Sequence, residues 1–556
     1  MNYIYNVLTL LAIFLFLPPT LYGQPTSIYE ETETGNGDAK TEEFLPHLFP
    51  SHPLRETRAV WLTTIGGLDW PRTKATDTAS RERQKAELIT ILDNYKKANI
   101  NTVIFQTRVR AAVMYPSKIE PWELSLTGTA GRNPGYDPLA FCIDECHKRG
   151  MELHAWVVCI PIGTTQRQKG YGAASITKQH KELVKTAKNG EMFMIPGKPQ
   201  TATYIAGICR EIAENYDIDG ISLDYIRYPE SVYKFSDDEL YPRSSALTKA
   251  EWRRDNITRI VRAVHDAVKP IKPWVKLSSS PIGKYGDTQR YSAGGWNCYH
   301  AVYQDPRLWL RENYQDMLFP MMYFTGNHFY PFLFDWSENS YGHPVVPGLG
   351  IYFLDPREGK WKLNDVRAEM HAARHSGIGG IAFYRGEFLT KNVKGIYDTT
   401  CDEFFPYPAL TARMTWTGDT VSPSAPSNLK YENGKLLWKS AISNHKQPSN
   451  AASSNHPHNY ILYNVYGSNT YPVDITKAEN LLATNIRTTE FEITGRATTV
   501  RNYAVTAIDR FGNESPAAQE AKPTTVLPKY LNVPHLINRD LLSPKKSTQK
   551  QKKSKR

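Results

Sequence analysis

Cysteine is scarce in this chain. Six Cys occur among 556 residues, and none of them forms a C-x-x-C pair. So few cysteines at such spacings argue against a disulfide framework and against a structural zinc site. Cys142 and Cys146 lie four residues apart on a predicted helix, where we expect them to pack as small apolar side chains. We therefore predict no metal centre and no organic cofactor.

Long apolar runs are also missing, with one exception at the start. Residues 3–17, YIYNVLTLLAIFLFL, are followed by small residues near Gly23, which is typical of a signal peptide over residues 1–23. No later run reaches the roughly 18 apolar residues that a membrane-spanning helix needs. We therefore expect an exported protein, periplasmic or extracellular in the cell envelope, without a membrane span in its mature form. Because MNYIYN lacks Lys and Arg, an uncleaved N-terminal anchor is the alternative.

Acidic residues are absent from the last dozen positions, KKSTQKQKKSKR, which carry seven Lys or Arg and contribute to a net charge of +11. We expect residues 540–556 to form a disordered basic tail that is drawn to polyanions. For an exported protein, the expected partner is an anionic wall or membrane surface rather than nucleic acid. A tail that only improves solubility is the alternative.

The remaining sequence begins with a polar, acidic linker over residues 24–54. Apolar, β-branched runs then alternate with segments of helical period as far as residue 407. The eight candidate strands are RAVWLTT (from Arg58), TVIFQTRV (from Thr102), ELHAWVV (from Glu152), GISLDYIR (from Gly220), KLSSSPIG (from Lys276), DMLFPMMYF (from Asp316), VVPGLGIYF (from Val345) and GGIAFYRG (from Gly379). This alternation predicts an α/β fold, a (β/α)8 TIM barrel over residues 55–407. An open doubly wound sheet is the main alternative, but no glycine-rich phosphate loop follows the first strand.

A second domain is predicted over residues 424–525, after the prolines at positions 423 and 426. Short alternating strands such as NLKYENGKLLWK and NYAVTAIDRFGNES replace the helical periods there. The pattern resembles a small all-β, immunoglobulin-like sandwich of the fibronectin type III kind. In that interpretation Trp438 is the buried strand aromatic and Tyr503 lies near the corner before the last strand pair. Such modules usually bind ligands or separate other domains and do not catalyse reactions.

The catalytic candidates are carboxylates at strand ends, because a barrel of this kind forms its active site there. Asp224, in DGISLDYIRYPE, follows two apolar strand residues, where an acid has little structural use. Helix capping or a salt bridge to Arg227 is the alternative. The second acid is predicted to be Glu387 or Glu120. Cleavage of a glycosidic bond needs such a pair, since one carboxyl protonates the leaving oxygen and the other attacks or activates water.

Cationic, hydroxyl and aromatic side chains are expected around the carboxylates to bind sugar. The candidates at predicted strand ends are Arg108, Arg110, His154, Arg227, Tyr323 and Arg385. Twelve Trp and 33 Tyr fit a protein that contacts sugars, and Trp70 and Trp156 are candidate platforms, with Trp61 and Trp122. For each of these residues, packing in the core or at the rim is an equal alternative.

Several long segments resemble the glycosyl hydrolase-like family ten, a group of bacterial barrel proteins. They are RAVWLTTIGGLDWP, NTVIFQTRVRAAVMYPSKIEPW, NPGYDPLAFCIDECHKRGMELHAW, DGISLDYIRYP and LFPMMYF, which occur in order over roughly residues 55 to 400. The resemblance implies a TIM barrel, export to the envelope and hydrolysis of glycan. It also implies peptidoglycan glycan strands as the substrate.

Two functions follow from these observations. The first is a glycosidase acting on a polysaccharide through Asp224 and one partner acid. The second is a glycan-binding protein that has kept the barrel and lost turnover. It is favoured where the chain departs from the family pattern, with Tyr225 in place of a second acid, Cys159 near a family Asn, and Arg110 near a family Asp.

Overall fold

The computed structural model describes residues 52–242, 244–442 and 461–519. The predicted signal peptide, all but the last three residues of the 24–54 linker, and the basic tail lie outside the described residues. Among the described helices, none combines the length and apolar character needed to cross a membrane.

Most strands in the first part of the chain belong to one parallel sheet. The strands there are β1 (Thr57–Leu62), β2 (Thr102–Arg108), β3 (Glu152–Val158), β4 (Pro161–Thr164), β5 (Val184–Thr186), β6 (Glu191–Met194), β7 (Gly220–Asp224), β8 (Lys276–Ser279), β9 (Met317–Leu318), β10 (Gly348–Leu349) and β11 (Gly380–Phe383). Eight of them pair in the order β10-β11-β1-β2-β3-β7-β8-β9, and every pairing is parallel. The other three form a small antiparallel sheet, β4-β6-β5, inserted after β3.

The sheet closes between its two terminal strands, β9 and β10. Parallel bridges join Leu318 to Val345 and Met321 to Gly348. Pro320 and Pro347 lie in these runs and supply no N–H to the ladder, which explains why each strand is only two residues long. The predicted α/β barrel is therefore confirmed, and the open-sheet alternative is wrong.

Helices separate the barrel strands. They are α1 (Thr78–Lys97), α2 (Leu124–Thr127), α3 (Pro138–Lys148), α4 (Thr165–Gly170), α5 (Ile176–Gln179), α6 (Pro199–Asn215), α7 (Lys249–Val268), α8 (Cys298–Ala301), α9 (Pro306–Arg311), α10 (Tyr330–Glu338), α11 (Leu363–Ser376), α12 (Gly386–Thr390) and α13 (Ile396–Thr399). The longer ones begin at clear signals: α6 has Pro199 in its first turn, and Thr248 and Glu251 form a capping box on α7. Their apolar stripes pack against the outer face of the sheet.

Strand alternation decides which side chains face the barrel interior. In β3, Trp156 and Val158 belong to the interior cluster, whereas Leu153, Ala155 and Val157 pack outward against the helices. Asp224 at the end of β7 is in register with Val158. The alternation and this register therefore direct Asp224 inward at the carboxyl end of the barrel.

The C-terminal part contains two antiparallel sheets. Their strands are β12 (Ser427–Glu432), β13 (Lys435–Lys439), β14 (Leu462–Ser468), β15 (Leu481–Ile486), β16 (Glu490–Glu492), β17 (Asn502–Ile508) and β18 (Ala518–Gln519). The orders are β12-β13-β16 and β15-β14-β17-β18, and residues of both sheets share one core that includes Trp438 and Val465. The Tyr503 hydroxyl donates to the Ala497 carbonyl at 2.9 Å. We call this unit the sandwich; its assignment as a fibronectin type III domain stays a prediction.

Gly220 tests the packing at the start of β7. A Cβ atom there would lie 2.6 Å from the His154 ring, which is bonded to Glu152 and packs on Phe319. We expect Gly220→Ala to lower the free energy of unfolding by about 1–3 kcal/mol, measured by urea denaturation. Gly207→Ala in α6 is the matched control, because its nearest contact would be 3.8 Å away. Equal stability of the two variants would contradict the packing.

Glu369 on α11 is fully buried, and neither carboxyl oxygen has a hydrogen-bond partner among the described residues. Burial raises the pKa of this carboxyl well above its usual range. The free-energy cost of keeping Glu369 buried in the folded state therefore grows as pH rises above the pKa that this carboxyl has in the unfolded chain. We expect Glu369→Met to stabilise the protein by about 1–3 kcal/mol at pH 8.

The stabilisation should shrink as pH falls towards that of an ordinary glutamic acid, as measured by thermal unfolding across the pH range. Glu338→Met, at an exposed position of α10, is the control. A gain that does not depend on pH would show that ionisation of Glu369 is not the cause.

Candidate active site

Asp224 is held in one orientation at the carboxyl end of β7. The Trp156 indole Nε1 donates to its Oδ2 at 3.0 Å, and the Tyr225 backbone N–H donates to its Oδ1 at 2.7 Å. Burial raises the pKa of Asp224, and the charge of Arg227 and the two hydrogen bonds only partly oppose this. Asp224 is therefore an oriented carboxyl that keeps its proton to higher pH than an exposed aspartic acid.

Glu230 is a second carboxylate in the same loop. Its Oε1 accepts from Arg227 Nη2 at 2.9 Å and from Arg227 Nε at 3.2 Å. The guanidinium of Arg227 lies 4.1 Å from the centre of the Tyr225 ring. The negative charge of Glu230 also adds to the raised pKa of Asp224, so the two acids are electrostatic neighbours. Sequence reasoning missed Glu230, although it stands six residues after Asp224 in YIRYPE.

Aromatic side chains from three other strand ends form a wall of the site. Tyr323 and Tyr384 stack with ring centres 5.2 Å apart, and Tyr352 meets both edge-on at 5.8 Å. Trp61 contacts Tyr384 from the barrel interior at 6.0 Å. Burial and the neighbouring tyrosines raise the pKa of Tyr323, and the charge of Asp224 adds to this effect. The structure thus joins Trp156 to Asp224 by a hydrogen bond and groups three tyrosines at the neighbouring strand ends.

Glu387 lies in a separate charged cluster at the ends of β1 and β11. Arg72 and Arg385 contact it at 2.7 and 2.9 Å, and Lys391 forms a third ion pair. Burial alone would raise its pKa, but the hydrogen bond from Lys391 and the charge of Arg385 lower the pKa of Glu387 to about 2. Glu387 therefore stays ionised and does not suit the role of proton donor.

Asp69 organises this second cluster and was also missed by sequence reasoning. The buried carboxylate accepts from Arg385 at 2.5 Å, from the Thr63 N–H at 2.7 Å and from the Glu387 N–H at 3.0 Å. Tyr384 directly precedes Arg385 of this cluster, and its ring stacks on Tyr323 with ring centres 5.2 Å apart.

The remaining acid candidate, Glu120, forms a buried ion pair with Arg108. The two side chains make hydrogen bonds of 2.6 and 2.9 Å, and the Tyr204 hydroxyl of α6 donates to Glu120 at 3.0 Å. Arg108 also donates to the Cys159 carbonyl at 2.9 Å. These contacts lie between the sheet and α6, on the opposite face of the sheet from Asp224.

Two further candidates lie away from Asp224. His154 is fully buried two residues before Trp156 and interacts with Glu152 at the amino end of β3. Trp70 is fully buried, and its Nε1 donates to the Gln84 carbonyl at 2.8 Å. Both residues therefore lie where we expect a side chain that packs in the core and does not contact a sugar.

Arg110, by contrast, follows β2 at the carboxyl end of the barrel. Its Nη1 is 3.9 Å from Glu191, which begins β6 of the inserted sheet. Its charge lowers the pKa of Tyr225, opposing the stronger effect of burial. The insert after β3 therefore contacts the loop after β2 through this pair. The described residues contain no group of three or more His, Cys, Asp or Glu side chains placed to hold a metal ion.

Comparison with known proteins agrees with this geometry. Residues 56–347 match the family model described as Glycosyl hydrolase-like 10. "Glycosyl hydrolase YngK" from Bacillus subtilis (strain 168) is 30% identical over 504 residues, which cover 85% of this chain and 95% of that protein. The chain belongs to the Glycosyl hydrolase-like 10 family.

Other matches are more partial. "Glycosyl hydrolase DigH" from Escherichia coli (strain K12) is 34% identical over 294 residues, covering 49% of this chain and 66% of that protein. Alpha-L-fucosidase isoenzyme 2 from Paenibacillus thiaminolyticus matches with a TM-score of 0.41 at 12% identity, over 63% of this chain and 50% of that chain, a similarity too low to bear on the fold. Membership of the Glycosyl hydrolase-like 10 family supports a glycosidase-type function.

The hydrogen bond from Trp156 to Asp224 can be tested directly. Trp156→Phe removes the indole donor that favours the ionised carboxylate, so we expect the pKa of Asp224 to rise further. Carbon-13 NMR titration of labelled aspartate carboxyls, assigned with Asp224→Asn, measures the change. Trp61→Phe is the control, because Trp61 lies in the same interior cluster and has no hydrogen bond to Asp224 among the described residues. Equal shifts in both variants would contradict this role of Trp156.

Proposed function

We propose that this protein is a glycoside hydrolase that cleaves O-glycosidic bonds of a polysaccharide, with Asp224 as the proton donor. The observation that carries the proposal is the buried Asp224 at a strand end, held by two hydrogen bonds, with a second carboxylate, Glu230, in the loop that follows. Family membership supports the same reaction class.

The proposed chemistry uses two carboxyl groups in different protonation states. A neutral Asp224 gives its proton to the departing glycosidic oxygen, while an ionised carboxylate attacks the anomeric carbon or activates water. Glu230 is the first candidate for the second group, since its charge acts on Asp224. Glu387 is the alternative, because its three cationic contacts keep it ionised. Glu120 is not proposed as the partner, since Arg108 and Tyr204 occupy it.

The proposed substrate is peptidoglycan glycan strands, which the family resemblance suggests. Tyr323 and Tyr384 offer rings and hydroxyls to the sugar, and Arg110 offers a guanidinium at the mouth. We further propose that the protein is exported to the cell envelope. There the basic residues 540–556 would contact an anionic surface.

Substitution of the two acids tests the mechanism. We expect Asp224→Asn and Glu230→Gln each to lower the release of reducing ends by about 10²–10⁴-fold, because each removes one of the two required carboxyl groups. Glu214→Gln, at an exposed position of α6, is the matched control and should keep full activity.

The assay uses purified glycan strands and a panel of other polysaccharides, with products identified by mass spectrometry. Circular dichroism and pull-down on insoluble polymer check folding and binding. Unchanged product release by Asp224→Asn would remove it from the mechanism. Full activity of Glu230→Gln with inactive Glu387→Gln would transfer the second role to Glu387.

A non-catalytic glycan-binding protein is the second candidate function. The specific observation in its favour is Tyr225, which stands where many relatives have a second acid and packs against Arg227 instead. In this case the wild-type protein would be retained by at least one polysaccharide and would release no soluble fragment from any member of the panel.

A further inference from the structure

The sandwich contacts the amino end of the barrel, opposite to Asp224. Arg510 lies two residues after β17, and its side chain, which is only 6% exposed, contacts the segment that precedes β7. It donates to Asp217 Oδ1 and Asp219 Oδ1, both at 2.9 Å, and to the Ile218 carbonyl at 3.2 Å. One arginine of the sandwich therefore binds three consecutive residues that lead into β7.

A second group of contacts lies beside the first. Arg487, which follows β15, donates to Asp217 Oδ2 at 3.0 Å, and Asn485 Nδ2 donates to the Gly150 carbonyl at 3.3 Å. Gly150 has a φ of +69°, and a Cβ atom there would lie 2.3 Å from the Thr484 carbonyl oxygen. The loop before β3 therefore needs glycine both for its conformation and for the close approach of β15.

Asp219 connects these contacts to the barrel strands. Its Oδ2 accepts from the Leu153 N–H of β3 and from His147 Nε2, both at 2.8 Å. Its backbone N–H donates to Leu153, and its carbonyl accepts from Lys276 of β8, both at 3.0 Å. Asp219 thus lies where β3, β7 and β8 begin, and its carboxylate is shared between the barrel and the sandwich.

The same strands carry the site at their other ends. β7 runs from Gly220, directly after Asp219, to Asp224, and β3 carries Trp156, which donates to Asp224. Ladder pairing holds β7 to β3 along all five residues and to β8 along the first four. Asp219 and Asp224 therefore lie at the two ends of one strand that is held on both sides.

We propose that the sandwich stabilises the amino ends of the barrel strands, a role that we call the brace, and that Arg510 is a positioning residue for Asp224. Removing Arg510 takes a cationic partner from the buried Asp219 and from the partly buried Asp217, which loosens the start of β7. Because the sandwich lies at the amino end of the barrel, it holds the strands of the site without lining its mouth. Its role in turnover rests on the proposed function, whereas its effect on β7 does not.

Hydrogen exchange measured by mass spectrometry tests the brace without any substrate. In Arg510→Ala we expect peptides covering residues 217–225 to exchange at least about tenfold faster, because the local opening of β7 becomes easier. Arg501→Ala is the matched control, since Arg501 is an exposed arginine directly before β17. Arg510→Lys keeps the charge and should restore part of the protection. If Arg510→Ala does not fold, Arg487→Ala removes the bond to Asp217 Oδ2 and leaves Arg510 on Asp219, and it should give a smaller increase.

Kinetics provide the second measurement. We expect Arg510→Ala to lower kcat about tenfold or more with KM nearly unchanged, since misplacing a proton donor affects the transition state more than binding. Unchanged exchange at residues 217–225 in Arg510→Ala would overturn the brace, whatever the activity. Faster exchange in a protein whose wild type hydrolyses no glycan would support the brace and reject the proposed function. Faster exchange with wild-type kcat would overturn the positioning role.

Discussion

Closure of the parallel sheet is the constraint on which the other features depend. The bridges between the β9 and β10 segments turn eight strands into a barrel. Once the barrel is closed, the inward-facing side chains of each strand can contact solvent only at the two ends of the barrel. Asp224 reaches that interior at the carboxyl end, where burial raises its pKa and the Trp156 indole fixes its orientation. The unusual chemistry of this carboxyl therefore originates in the topology of the sheet.

Acids at the strand ends differ in pKa because burial and cationic partners have opposite effects on a carboxyl group. At the amino end, Glu56, Glu152 and Asp219 each face strong cationic partners, which outweigh burial and lower the pKa of each carboxyl. At the carboxyl end, Asp224 has one arginine nearby, and that arginine is already bonded to Glu230. Burial then dominates, and the pKa rises. Glu387, also at the carboxyl end, has three cationic contacts and a lowered pKa, so the direction of each shift follows the partners of the acid and not its end of the barrel.

The site divides into two charged clusters joined by aromatic rings. Asp224 and Glu230 belong to the loop after β7, whereas Asp69, Arg385 and Glu387 occupy the ends of β1 and β11. Tyr384 stands between them, stacked on Tyr323. The two clusters differ in charge pairing, since burial dominates at Asp224 whereas Glu387 is paired with three cations.

The sequence by itself determined the barrel, its eight strands and Asp224, because each depends on local periodicity or on the position of one acid after an apolar strand. It also suggested Trp156, which donates a hydrogen bond to Asp224, and Tyr323 and Arg110, which follow other strands at the same end of the barrel. It could not separate these from His154 and Trp70, which lie in the packed interior. Only the tertiary structure decided which carboxylates meet. Glu120 is paired with Arg108 behind the sheet, Glu230 stands beside Asp224, and Arg510 reaches Asp219 across 291 residues of chain. Such pairings depend on which face of the closed sheet each side chain occupies and on how the sandwich docks, and neither leaves a periodic signal in the sequence.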